Sequence, residues 1–91
     1  MSINVLQKVF RSKAAEILIA LEETSLGVRE LHKKVGGSLL TIVLRLRDLE
    51  DLGVIKREVE TSFPFKHTIT LTEKGRRLVP LLKEMLKILE S

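Results

Sequence analysis

The chain of 91 residues contains no cysteine. That removes disulfides, thiolate nucleophiles, cysteine-based zinc sites and thiol redox sensing together. No apolar run approaches the roughly 18–20 residues of a membrane-spanning helix, and nothing ahead of the first helical pattern reads as a signal peptide. The expectation is a cytoplasmic protein without a membrane partner. Catalytic constellations are missing as well. There is no glycine-rich phosphate loop, no serine placed with a base by motif, and no carboxylate pair set among pocket-forming residues. Glu22-Glu23 and Glu50-Asp51 fall on helix surfaces or ends, where solvation is the ordinary fate of such pairs. His32 and His67, the only histidines, are separated by a whole helix and lack metal-ligand spacing. These absences predict a protein that is not an enzyme and uses no cofactor or metal.

What is present suits one small folded unit. Apolar residues make up 44% of the chain, too many for a disordered segment. With no internal repeat or low-complexity linker, residues 1–91 read as a single domain. Sixteen Lys and Arg face twelve acids, for a net charge of +4 and a pI near 9.7. A polyanion partner would suit that balance, as would an ordinary basic surface. The excess is spread out: residues 1–37 carry +2, residues 38–71 are neutral and residues 72–91 carry +2. Only the fold can gather such charges into a patch.

Residues 2–23 read as helix, with Ser2 as first cap and Ile3, Leu6, Val9 and Phe10 at helical spacing. Ser12 offers a second cap within it, and the pattern leaves open a bend or break at Phe10-Arg11-Ser12. Val28, Leu31 and Val35 mark one face of a short second helix, stopped by Gly36-Gly37. Ser38 then caps a run to Leu52 in which Ile42, Leu46, Leu49 and Leu52 can face a core. Gly53 ends it. Val54–Glu60 and His67–Leu71 are β-prone, with Pro64 at the tip between them, since proline would interrupt a strand ladder. Thr72 caps a last helix, with Glu73 favourably placed at its positive end and Pro80 inside it, where a bend is expected.

Helix, tight turn, helix, stop glycine, hairpin and closing helix is the order of a winged helix-turn-helix. The fold class is therefore α+β, mainly helical, with a two-stranded wing and extended terminal helices. Gly36-Gly37-Ser38, the run from Leu46 to Ile55, Arg57-Glu58-Val59, Pro64 and Leu71-Thr72-Glu73-Lys74-Gly75 resemble the HxlR-type winged-helix regulators, within the wider MarR-like and ArsR-like group. The resemblance covers about Arg29 to Leu82. It implies a dimeric DNA-binding transcription factor with helix 38–52 in the major groove and wing 54–71 on the backbone or minor groove. There are two departures. Family members commonly carry a sensing cysteine in the N-terminal region, and none exists here. Recognition-helix positions that are usually polar hold Leu39, Leu40, Val43 and Leu44, which can touch a thymine methyl but cannot make paired hydrogen bonds to a base.

Candidate residues follow for two surfaces. For double-stranded DNA they are Lys33, Lys34, Ser38, Thr41, Arg45, Arg47, Lys56, Arg57, Lys66 and His67. Ser38, Thr41 and Arg45 form one stripe read as pointing away from the core, with Arg45 the expected base reader and Arg47 on its flank. Arg45 and Arg47 can equally pair with Asp48, Glu50 or Asp51, and Lys56-Arg57 with Glu58 and Glu60. The last helix carries more apolar surface than a domain this small can hide, which predicts a homodimer through residues 1–11 and 76–91. Leu6, Phe10, Val79, Leu82, Leu86 and Leu89 are its expected contacts. A homodimeric regulator, more readily a repressor because a bare winged domain can occlude a promoter, is the leading reading. A protein–protein module, favoured by the apolar run 39–44, and a sequence-tolerant architectural DNA binder are the rivals.

Overall fold

Five helices and one β-hairpin follow in the expected order in a computed structural model that describes residues 3–91. The helices are α1 (Ile3–Phe10), α2 (Ala14–Ala20), α3 (Val28–Val35), α4 (Leu39–Asp51) and α5 (Glu73–Glu90), with β1 (Ile55–Val59) and β2 (His67–Leu71) between the last two. The Ser2 cap and the side chain of Ile3 lie outside the described residues. No described helix is long and apolar enough to cross a membrane.

The first helical run is two helices. Lys13 takes a left-handed conformation with φ of 72°, which costs a non-glycine residue about 1–2 kcal/mol and breaks the run at Arg11–Lys13. Tertiary bonds hold it there: the Lys13 ammonium donates to Val35 O at the end of α3, 3.3 Å away. Ser12 does not cap α2, because Lys13 occupies that position without a side-chain bond. The helix also stops at Ala20 rather than continuing to 23. The chain then runs to Leu26, whose N–H and C=O both pair with Ile69 at 3.1 and 2.7 Å. The hairpin thereby gains a third, single-residue rung on its β2 edge.

The core is built from one face of each element. Ile17 and Leu18 of α2, Leu31 of α3, and Ile42, Leu46 and Leu49 of α4 have no exposed surface, and Ile55, Ile69, Leu71 and Val79 close over them. Each such side chain contributes about 1.5–3 kcal/mol of burial. Ser38 caps α4 by accepting the Thr41 N–H at 3.0 Å, as its position predicts. The hairpin is antiparallel, pairing Ile55 with Leu71 and Val59 with His67, with Pro64 beyond the last pair.

Where α4, the wing and α5 meet, the chain is densely cross-linked. The Thr72 hydroxyl accepts the Gly75 N–H at 3.2 Å and donates to Gly53 O at 2.6 Å. Thr72 N–H donates to Val54 O at 3.1 Å, and the Lys74 ammonium to Leu52 O at 2.8 Å. Gly75 is buried against the Val54 carbonyl so closely that a Cβ would overlap its oxygen.

Candidate nucleic-acid interface

The α3–α4 turn sets the aim of α4. Gly36 and Gly37 both have positive φ, 79° and 80°, which reverses the chain within three residues. His32 braces the reversal: its Nε2 lies 2.8 Å from Gly37 O, and since a carbonyl only accepts, that nitrogen carries the proton. Ser38 Oγ, besides capping, donates to Thr41 Oγ1 at 2.8 Å. The two hydroxyls expected to meet DNA are thus bonded to each other at the surface.

Arg45 is not on the outer face of α4. Its guanidinium is 2.8 Å from the Asp48 carboxylate, only 16% of its side chain is exposed, and its Nε is buried without a partner. The same Asp48 oxygen accepts from Arg11, 3.1 Å away in the α1–α2 turn. The physical reason is the helical period. Arg45 stands three residues after Ile42 and four before Leu49, so at about 100° per residue it lies within about 60° of both core positions. The stripe Ser38, Thr41, Arg45 therefore runs beside the core rather than opposite it. Leu40, Leu44 and Arg47, at i, i+4 and i+7, form the outer stripe, with Leu40 67% and Leu44 40% exposed. Arg47 is exposed and makes no ion pair among the described residues. The signal for this was in the sequence, in the offset of 40, 44 and 47 from the apolar row 42, 46 and 49.

The remaining basic candidates divide by location. Lys33 and Lys34 are exposed at the end of α3, but Lys34 lines a hollow with Ile19, Val35 and Leu86 on the α2–α5 side. On the wing, Lys56 pairs with Glu58 at 3.4 Å, Arg57 with Glu50 of α4 at 3.4 Å, and Lys66 with Glu30 of α3 at 4.0 Å. His67 is exposed opposite Val59. All three pairs have both side chains more than two-fifths exposed, and such pairs are worth at most about 1 kcal/mol, little enough to exchange for phosphate. The Arg57 and Lys66 contacts tie the wing to α4 and α3. Beyond them the tip is apolar, with Phe63 85% exposed and its ring edge-on to Phe65.

At the other end, Val79 and Leu82 belong to the chain's own core, with 1% and 6% exposure, and are not free for a partner. They lie on the inner row of α5, which packs on α2 and β2. Leu6, Phe10, Leu86 and Leu89 are exposed, and Phe10, Ile19, Leu82, Met85, Leu86 and Leu89 line an apolar cleft between the N-terminal helices and α5. Met85 was not among the expected contacts, although its row with Leu78, Leu82 and Leu89 marks it.

Residues 12–91 match the family model described as HxlR-like helix-turn-helix. An uncharacterized HTH-type transcriptional regulator of Bacillus subtilis, YdeP, is 46% identical over 57 residues, which is 63% of this chain and 43% of YdeP. The chain thus spans less than half the length of that curated relative. Among solved structures, one described as a possible HxlR family transcriptional factor from Thermoplasma volcanium superposes with a TM-score of 0.81 at 25% identity, covering 94% of this chain and 78% of the other. Diamide-treated YodB of B. subtilis shares the fold, with a TM-score of 0.82 at 24% identity over 93% of this chain and 85% of YodB.

Proposed function

Because this chain belongs to the HxlR-like helix-turn-helix family of DNA-binding transcriptional regulators, we propose that it acts as a homodimeric repressor. In this reading α4 enters the major groove, the wing lies on the backbone or minor groove, and α1 and α5 join two copies. The observation that carries it is the outer stripe of α4. Before the exposed Asp51 at its far end it carries Arg47, exposed and without an ion pair among the described residues, whose planar fork matches guanine O6 and N7. Exposed Lys33 of α3 and Lys56, Arg57 and Lys66 of the wing, the last three in weak surface ion pairs, offer positive charge suited to phosphates. The apolar cleft between the N-terminal helices and α5, with Leu81 and Ile88 also exposed at 63% and 65%, supports self-association.

The test is a salt series on a duplex selected from a random pool and on an unselected duplex. A regulator binds the selected duplex more tightly at every salt concentration. Equal affinity with a steep salt slope supports a sequence-tolerant architectural binder instead. The exposed Leu39 and Leu40 favour a second reading, a protein–protein module. That reading gains if neither duplex binds.

A further inference from the structure

We propose that α4 reads DNA chiefly through thymine methyl groups, with Leu40 and Leu44 as the contacting side chains and Arg47 as the hydrogen-bonding anchor beside them. This rests on the reading of α4 as the helix that enters the groove. The outer stripe offers two leucines, 67% and 40% exposed, one arginine and, at the far end of α4, the exposed acid Asp51. The other polar groups on this part of α4 lie off that stripe. Ser38 and Thr41 hydroxyls bond to each other at 2.8 Å, and Arg45 is held by Asp48. In the major groove only thymine presents a methyl group, so an apolar stripe selects it against the other three bases. Cytosine presents an amino donor to the same region, which a leucine would leave without a partner.

An apolar patch made for a protein partner would be expected to carry few charges at its core. Here Arg47 continues the leucine stripe, and exposed Lys33, Lys56, Arg57 and Lys66 stand on the neighbouring α3 and wing. Leu40 and Leu44 are four residues apart, about 6 Å along the helix axis. That is roughly two base-pair steps of about 3.4 Å. The preferred half-site therefore has thymines within about two steps of each other, followed by a guanine for Arg47.

The experiment takes a duplex selected by the purified full chain and replaces its half-site thymines with deoxyuridine, which removes the methyl and keeps the base pair. Each contacted methyl should be worth about fourfold in affinity, the value of one buried CH₂. The double variant Leu40→Ala/Leu44→Ala, changed only at exposed positions, should bind the thymine and uracil duplexes alike, which separates methyl contact from altered duplex shape. Equal binding of both duplexes by the unmodified protein would overturn the inference and leave the regulator reading intact. Retained discrimination in the double variant would also overturn it. Failure to enrich any duplex would overturn the regulator reading itself, and the inference with it.

Discussion

Arg45 and Asp48, one turn apart on α4, close an ion pair at 2.8 Å with 16% and 18% of their side chains exposed. Removing the acid alone strands a half-buried guanidinium, whereas removing the arginine takes the charge away. Asp48→Ala should therefore lower the unfolding free energy by about 2 kcal/mol, and Arg45→Leu by about 1 kcal/mol or less. Urea denaturation of both variants checks the asymmetry. The two arginines of α4 should also differ in kind, with Arg45→Leu leaving base preference unchanged.

Arg47→Ala is the complementary case. Its side chain is exposed and makes no ion pair among the described residues, so stability should stay within about 0.5 kcal/mol. Affinity for a selected duplex should fall by about 1–3 kcal/mol, with selectivity relaxed at one base pair per half-site. Fluorescence anisotropy with single-substituted duplexes reads both quantities.

The wing should supply affinity without sequence preference. Lys66 is 57% exposed and only loosely held by Glu30 at 4.0 Å. Lys66→Ala should weaken binding about equally on all duplexes and reduce the slope of log K against log salt by about one. A changed base preference with an intact slope would make Lys66 a reader.

Self-association should depend on the last turns of α5. Leu86 and Leu89 are 47% and 78% exposed and line the apolar cleft with Phe10. Leu86→Asp/Leu89→Asp should sediment as a folded monomer at tens of micromolar (about the range of weak dimers), where the unmodified chain sediments as a dimer. Helical circular dichroism of the variant should be unchanged.

One ion pair gives a pH signature. The Lys83 ammonium of α5 donates to the Glu22 carboxylate at 2.8 Å, and that hydrogen bond and charge raise the lysine above its ordinary value. A raised folded value means the pair's contribution is complete below the unfolded lysine value and disappears as pH rises through the higher folded one. Stability near neutral pH should therefore be flat in this group. Glu22→Gln should lower the NMR titration midpoint of Lys83 toward the ordinary lysine value, the nearby Glu23 keeping a small part of the shift.

Punctuation made the fold legible. Gly53, Ser38 and Thr72 act where local chemistry alone places them, and the apolar row Ile42, Leu46, Leu49 is too regular to misplace. The α1–α2 break has no local mark, since Lys13 is a poor left-handed residue, held by Val35 O, a partner 22 residues away. The Leu26–Ile69 rung is likewise a long-range pairing with no local mark. On α4 the helical period alone sets Arg45 beside the core row and Arg47 on the outer face. Val79 and Leu82 could not be sorted from Leu86 and Leu89 because the second pair repeats the first at i+7 on the same face of α5, one buried and the other exposed. Where along that row the core ends depends on how far α2 and β2 reach.

Gly75 brings the backbone of α5 against the carbonyl of Val54 with no side chain between them. Side chains are the compliant part of a packed junction, since they can change rotamer when neighbouring elements shift. This junction has nothing of that kind to give, and the Thr72 and Lys74 bonds clamp it from both sides. The 18-residue α5, about 27 Å long, is in effect a lever fixed at the wing. A shift of the first turn of α5 therefore passes straight to the base of the β-ribbon, and Pro80 stands between that turn and the far end.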